Sequence, residues 1–92
     1  MSWFVVTDDG EFFNMRLFCQ QAGRSDLAFV DFLTSKAYND RMDELKKETG
    51  KRDKDFFYKM FYLKDDFLDI FLKWLDCEDI TKVITKLRSM EH

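Results

Sequence analysis

Proline is absent from this sequence of 92 residues, and glycine occurs only three times. Gly10, Gly23 and Gly50 each stand where the local pattern changes, so we interpret them as turns or helix ends. The sequence has no linker, repeat or low-complexity tract, and its length leaves room for one core. It therefore predicts a single domain over residues 1–92.

Histidine and cysteine are scarce, which limits the chemistry available to the chain. Cys19 and Cys77 lack the spacing of a metal site, so we expect two reduced thiols and no bound metal. The only histidine, His92, stands at the C-terminus, and no Cys–His or Ser–His catalytic pair is expected. The sequence also lacks a glycine-rich phosphate loop and the glycine-centred spacing of an EF-hand.

The adjacent carboxylates Asp8-Asp9 and Asp65-Asp66 remain as candidates for acid–base chemistry. Adjacent residues rarely converge on one substrate, and both pairs fit turn or helix-cap positions better. We therefore predict a protein that binds a macromolecule, is not an enzyme and needs no cofactor.

Long apolar runs are also missing, since none approaches the roughly 18 residues of a membrane-spanning helix. The N-terminal stretch 1–6 lacks the basic start and long apolar core of a signal peptide. We expect an intracellular protein that does not enter a membrane, placed in a host or bacterial cytoplasm or in a nucleus.

Apolar residues make up 46% of the chain and aromatic residues 17%, which is ample for a core. The β-prone run 3–6, the turn signal Asp8-Asp9-Gly10 and the run 11–13 predict an N-terminal hairpin. An alternative treats Asp8 and Glu11 as a capping box that starts a helix at Glu11.

Helical spacing follows the predicted hairpin. Asn14 is a good N-cap for a first helix that ends at Gly23. Ser25 or Asp26 is expected to cap the next helix, which carries an apolar face of Leu27, Val30 and Leu33. The pattern resumes with Ala37 or Tyr38, Met42 and Leu45 and ends at Gly50, with a break expected at Thr34-Ser35.

The aromatic segment 55–63 fits either a helix or a second hairpin. Asp65 or Asp66 is expected to cap the helix after it, and Asp76 the last helix. That last helix carries a stripe of Ile80, Val83, Ile84 and Leu87. The expected core comprises Trp3, Phe13, Phe18, Leu33, Leu45, Phe67, Phe71, Trp74, Ile80 and Val83.

Charge is unevenly distributed along a chain whose net charge is −3. Five cations lie between residues 46 and 54, with Glu48 and Asp53 as the only acidic residues among them, and an acidic region follows from Asp65 to Asp79. Two interpretations stay open: one basic and one acidic end of the molecule, or solvated faces with cations at a helix C-terminus.

A set of short motifs occurs in a fixed order along the chain. They are Asp9-Gly10, Asn14, Phe18-Cys19, Gly23-Arg24, Asp31-Phe32-Leu33 and Glu44-Leu45 followed by Glu48-Thr49-Gly50. This stretch resembles the KilA-N domain of large DNA viruses and bacteriophages. That family shows an Asp-Gly turn, an Asn, a Leu-Cys-type pair, Gly-Lys, an Asp-Trp-Leu-like step and a Glu-Leu…Glu-Thr-Gly helix end.

The resemblance extends over most of the chain, from about residue 3 to 87. The runs 62–67 and 74–75 are similar to the family's Gly-x-Tyr-Val-His-Pro-Asp-Leu and the tryptophan-bearing helix after it. Met60 stands in place of the glycine and Lys64-Asp65 in place of His-Pro, so we expect a short or reshaped second hairpin.

The resemblance implies a small, helix-rich α+β domain with an N-terminal hairpin, a second short hairpin and about four helices, similar to fungal APSES domains. It favours a hairpin at both ambiguous segments. It also implies a non-enzymatic DNA-binding role and a viral or phage origin.

The leading hypothesis is therefore weak binding to DNA phosphates through the basic segment. Its expected contacts are Lys46, Lys47, Lys51, Arg52, Lys54 and Lys59. The alternative is a protein–protein interaction or inhibitor module on the same scaffold, which uses the acidic region or exposed aromatic residues instead of binding DNA.

Overall fold

The computed structural model describes residues 2–89, so His92 lies outside the described residues. The strands are β1 Phe4–Thr7, β2 Gly10–Asn14, β3 Phe57–Tyr58 and β4 Tyr62–Lys64. The helices are α1 Met15–Gln21, α2 Phe29–Leu33, α3 Lys36–Thr49, α4 Leu68–Leu75 and α5 Glu78–Ser89. Single 3-10 turns cover Asp53–Phe56 and Asp65–Phe67. The α+β class with two hairpins is confirmed.

The N-terminal hairpin pairs β1 with β2 in antiparallel register, with Phe4 opposite Phe13. Its turn is held by the Thr7 hydroxyl, whose Oγ1 accepts from the Asp9 backbone N–H at 3.0 Å. Gly10 adopts φ +124°, a conformation that glycine enters without strain. The hairpin prediction is confirmed, and the alternative of a helix starting at Glu11 is wrong.

Asn14 joins the hairpin to α1 and is fully buried. Its Oδ1 accepts from the Leu17 backbone N–H at 3.1 Å, which confirms the predicted N-cap. Its Nδ2 donates to the Ser2 carbonyl at 3.3 Å, so the same side chain also fixes the start of the hairpin.

The sheet has strand order β1-β2-β4-β3 and is antiparallel throughout. The central pairing aligns Phe13 with Leu63, and Phe57 lies opposite Leu63 on its other side. The aromatic segment is thus a second hairpin after the 3-10 turn, and its interpretation as a helix is wrong. Its turn places Lys59 at φ +56°.

The second helix begins later than the sequence predicts. Ser25 and Asp26 do not cap it: the Ser25 hydroxyl accepts from the Leu27 backbone N–H, and Asp26 binds Arg16. The helix starts at Phe29, with Ala28 as an N-cap that makes no side-chain bond. The helix therefore turns a different set of side chains toward the core from the set that the sequence predicts.

The buried face of α2 consists of Phe29 and Phe32. Leu27 is 62% exposed and Val30 is 48% exposed, so the predicted apolar face is wrong at these positions. The predicted break before α3 is confirmed, because the Ser35 hydroxyl accepts from the Tyr38 backbone N–H at 3.2 Å.

The last two helices have different caps from those predicted. Asp65 and Asp66 lie in the 3-10 turn, and α4 follows Phe67 without a side-chain cap. Asp76 is the left-handed residue that ends α4, at φ +50°. The Cys77 carbonyl accepts the Thr81 N–H at 3.0 Å, which is the hydrogen bond of an N-cap residue, so Cys77 takes that position in α5.

Helices and sheet enclose one hydrophobic core. Of the expected core residues, Phe13, Phe18, Phe67, Phe71 and Ile80 are buried, and Trp3, Leu33, Leu45 and Trp74 are partly buried against them. Val83 is 42% exposed, whereas Ile80 and Ile84 of the same predicted stripe are buried and Leu87 packs against the core. The predicted stripe is therefore confirmed except at Val83.

Both cysteines are free thiols in the structure. Cys19 is buried, and this burial raises the pKa of its thiol to about 11. Cys77 is half-buried. Within residues 2–89, no helix combines the length and apolar character needed to cross a membrane.

Candidate nucleic-acid interface

The basic segment runs from the last turn of α3 to the turn of the second hairpin. Lys46 and Lys47 lie in the last helical turn, where positive charge is favourable at the C-terminus. Gly50 then ends the helix at φ +70°, with its N–H donating to the Lys46 carbonyl at 2.9 Å. The segment continues through a loop, a 3-10 turn and a short strand, so its cations lie on successive elements.

Lys46 differs from the other cations of the basic segment. Its Nζ lies 2.7 Å from Asp53 Oδ1, and this hydrogen bond raises the pKa of the lysine. In the part of the chain that the structure describes, the other cations of the segment form no ion pair. They are Lys47, Lys51, Arg52, Lys54 and Lys59, and all are exposed.

Two carboxylates between these cations are occupied locally. Asp53 binds Lys46, and Asp55 Oδ2 accepts from the Arg52 backbone N–H at 2.9 Å, at the start of the 3-10 turn. Glu48 is exposed at the end of α3. Asp55 is thus occupied by the backbone and Asp53 by Lys46, and within the described residues neither carboxylate pairs with another cation of the basic segment.

Lys51 and Lys54 line an open groove of about 330 Å³. Asp9, from the turn of the N-terminal hairpin, and Phe57, from β3, complete its walls together with Asp55. The fold therefore brings the two lysines beside the N-terminal hairpin, a neighbourhood that sequence spacing does not reveal.

The second hairpin carries Lys59 and Met60 at its turn. Lys59 Nζ lies 5.5 Å from the centre of the Tyr58 ring. Met60 is 85% exposed. The hairpin therefore presents a cation and an aromatic ring side by side at its open end.

Among residues 2–89, the close pairs of aromatic rings form two separate networks, although Phe61 of the smaller network also packs against the core. The larger network lies in the core and includes Phe13, Phe18, Phe32 and Phe71. The smaller one, here called the outer aromatic cluster, consists of Phe12, Tyr58, Phe61 and Tyr62. Sequence reasoning missed this cluster, and the only available signal was the alternation of rings along the ambiguous segment 55–63.

The acidic region lines a groove of about 580 Å³ between α4 and α5. Leu72 forms part of its wall, and Asp69, Asp76 and Glu78 supply carboxylates. Asp69 is engaged by Arg41 at 3.3 Å, and Glu78 by Lys82 at 3.5 Å. Every aromatic side chain of residues 2–89 is buried or half-buried, so an interface that uses aromatic residues involves half-buried rings.

Within residues 2–89, no group of three His, Cys, Asp or Glu side chains is placed to hold a metal ion. The geometry thus offers two candidate binding surfaces: the unpaired cations with the second hairpin, and the acidic groove.

The comparisons with known proteins add no name to either surface. No family model, no curated protein and no solved structure matches this chain.

Proposed function

We propose that this chain is a non-enzymatic DNA-binding domain whose basic segment contacts phosphates. The observation that carries the proposal is a group of cations that form no ion pair in the described part of the chain: Lys47, Lys51, Arg52, Lys54 and Lys59. Most cations elsewhere in residues 2–89 are bound by carboxylates, as Lys36 is by Asp40 and Arg88 is by Glu11.

Phosphates attract such cations because binding releases the counterions condensed on DNA. The net charge of −3 repels DNA at long range, so the attraction is local and weakens quickly with salt. We expect dissociation constants in the micromolar range and a slope of log K against log salt of about −3. Such contacts position the protein without reading a base sequence.

The resemblance to the KilA-N domain supports the same proposal. The confirmed hairpins, the Asn14 cap and the Gly50 helix end occupy positions of the motifs that carry the resemblance. A viral or phage protein that acts on DNA inside its host is the biological setting that we propose.

The experiment is a titration of labelled duplex DNA at about 20 and about 150 mM salt, a range over which phosphate contacts lose most of their strength. The test variant replaces Lys51, Arg52 and Lys54 with Ala. The matched control replaces Lys36, Lys73 and Lys86, which lie on α3, α4 and α5 and are equally exposed. Both variants change the net charge from −3 to −6, so net charge is matched, and the control additionally removes the ion pair of Lys36 with Asp40.

We expect the test variant to lose binding at both salt concentrations, whereas the control keeps most of the wild-type affinity at low salt. Circular dichroism should show the same fold for all three proteins, because exposed side chains seldom change stability by more than about 0.5 kcal/mol. Equal losses in both variants would mean that net charge alone governs binding, and no binding by wild type at low salt would exclude the proposal.

A second candidate function is protein binding through the groove between α4 and α5. The groove combines an apolar wall at Leu72 with the carboxylates of Asp76 and Glu78, and Lys73 also lines it. Within residues 2–89, Asp76 forms no ion pair and Glu78 pairs only with Lys82. This pattern suits a basic, partly apolar peptide. Its test is co-purification from host cells with wild type and with Asp76→Ala plus Glu78→Ala. A partner retained by both proteins excludes the groove as its site.

A further inference from the structure

The two faces of the sheet carry different aromatic networks. Phe13 and Leu63 point to the face that packs on the helices, since both belong to the core. Phe12, Tyr58 and Tyr62 lie outside that core cluster, although Phe12 is itself buried; Phe12 pairs with Lys64 and Tyr58 with Tyr62 in the same sheet. These side chains therefore form a second, outer face.

The rings of the outer aromatic cluster form a continuous chain across three strands. Phe12 lies 5.9 Å from Tyr58, Tyr58 lies 5.7 Å from Tyr62, and Tyr62 lies 4.9 Å from Phe61, between ring centres. Phe12 is only 2% exposed, because Tyr58 and Lys64 lie over it. Tyr58, Phe61 and Tyr62 are half-buried, so solvent reaches these three rings, of which Phe61 also packs against the core.

Three cations lie against this cluster. Arg16 is 5.0 Å from the centre of the Phe61 ring, Lys59 is 5.5 Å from Tyr58, and Lys64 is 5.6 Å from Phe12. Asp26 binds Arg16, and Asp65 lies 4.0 Å from Lys64. Of these three cations, Lys59 is the one that forms no ion pair with residues 2–89, and it also belongs to the basic segment.

We propose that the outer aromatic cluster stacks the bases of single-stranded DNA on Tyr58 and Tyr62, while Lys59 and the neighbouring basic segment hold its phosphates. This inference rests on the proposed function, from which it takes DNA as the polymer. Aromatic rings accept any base by stacking, and cations beside the rings track the backbone. The two requirements meet at Lys59, where the basic segment reaches the outer face.

A single strand fits this surface better than a duplex does. In a duplex the base faces are stacked inside the helix, so half-buried tyrosines have no base face to contact. Phosphate contacts from the basic segment are available to both forms of DNA. The rings therefore add affinity for single strands only, and the positive charge at Lys59 suits a polyanion better than an apolar protein surface.

The experiment compares a labelled thymidine strand of about twelve nucleotides, within the usual site size of such surfaces, with the same strand annealed to its complement. One variant combines Tyr58→Leu and Tyr62→Leu, which removes the aromatic faces but keeps apolar bulk. The matched variant combines Tyr58→Phe and Tyr62→Phe, which keeps the faces and removes only the hydroxyls. The Lys51, Arg52 and Lys54 alanine variant is measured on both forms of DNA.

We expect wild type to bind the single strand more tightly than the duplex. The leucine pair should weaken binding to the single strand at least about tenfold and leave binding to the duplex within about twofold. The phenylalanine pair should bind both forms of DNA with nearly the wild-type affinity. The alanine variant should weaken binding to both forms. Equal affinity of wild type for both forms, or equal losses in the leucine and phenylalanine pairs, would overturn the inference while the proposed function stands.

A measurement on the wild-type chain keeps the test independent of mutant folding. A single strand that carries 5-iodouracil is irradiated with the protein, and the crosslinked peptide is identified by mass spectrometry. We expect the crosslink at Tyr58 or Tyr62, and a crosslink confined to other elements would overturn the inference. If an RNA strand of matching sequence binds more tightly than the DNA strand, the choice of DNA is overturned. If wild type binds neither single-stranded nor duplex DNA, both proposals are overturned.

Discussion

Lys46 Nζ lies 2.7 Å from Asp53 Oδ1, and this contact ties the last turn of α3 to the 3-10 turn that precedes the second hairpin. Lys46 therefore connects two elements of the fold through its ion pair, although it is one of the phosphate contacts expected from the sequence. The next residue, Lys47, forms no ion pair within residues 2–89 and stays available.

This difference predicts unequal effects on DNA binding. Each lost phosphate contact should reduce the salt slope by about 0.9, so Lys47→Ala should show that reduction and Lys46→Ala should not. Asp53→Ala should release Lys46 and strengthen binding slightly. Titrations at four salt concentrations measure the slopes, and a weaker Asp53→Ala variant would contradict this assignment.

Core packing predicts graded losses of stability around the larger aromatic network. Phe71 is fully buried and contacts the rings of Phe13, Phe18 and Phe32, so Phe71→Ala should cost about 3–5 kcal/mol. Trp74 is only partly buried, and Trp74→Ala should cost about 2–3 kcal/mol because its outer edge already meets water. Urea denaturation measures both values, and a larger loss at Trp74 would contradict the packing order.

Stability should fall at alkaline pH because of Tyr38 and Cys19. Burial raises the pKa of Tyr38 from 10.0 to about 12, and the pKa of Cys19 from 9.0 to about 11. Above about pH 9 for Cys19 and about pH 10 for Tyr38, the unfolded chain loses the proton while the folded chain keeps it, so unfolding becomes easier as pH rises. The loss approaches about 1.4 kcal/mol per pH unit for each group within its window.

The control for this prediction is Tyr38→Phe, which keeps the ring contacts with Phe32 and Phe67 and removes the titrating hydroxyl. Urea denaturation at pH 8 and at pH 11 should show a smaller decrease for the variant than for wild type. Equal decreases would mean that Tyr38 ionises as readily in the folded protein as in the unfolded one.

The two thiols should react at very different rates. Cys19 is buried and its pKa is raised, so little thiolate forms at pH 8 and access is blocked. Cys77 is half-buried before α5 and should react first. Mass spectrometry after brief iodoacetamide treatment should find the label on Cys77, and equal labelling in urea serves as the control. Early labelling of Cys19 would contradict its buried position.

The sequence predicts those elements whose signals are local. The turn at Gly10, the cap at Asn14 and the helix end at Gly50 each depend on one residue and its near neighbours. The break before α3 is of the same kind, since the Ser35 hydroxyl caps that helix. For these features, backbone conformation and side-chain capping suffice.

Structural features that depend on residues distant in the chain could not be predicted from the sequence. Asp26 looks like a cap but is bound by Arg16, so α2 starts later and Val30 turns outward. Asp76 ends α4 in the left-handed region, a position that its short side chain tolerates. Phe12 joins the outer aromatic cluster only because β2 pairs with β4, and no local pattern reveals that pairing. The basic segment is visible in the sequence, but the pairing of Lys46 is not.

The pairing of β2 with β4 also sets the timing of folding during synthesis. Asn14 and Tyr62 are 48 residues apart in the chain yet adjacent in the sheet. At translation rates of roughly 5–20 residues per second, the N-terminal hairpin waits roughly 2–10 s for its partner strand. During that interval the backbone hydrogen-bonding groups on one edge of β2 have no partner strand, and apolar side chains lie on both faces of the hairpin. We therefore expect the nascent chain to depend on chaperones until the second hairpin has left the ribosome.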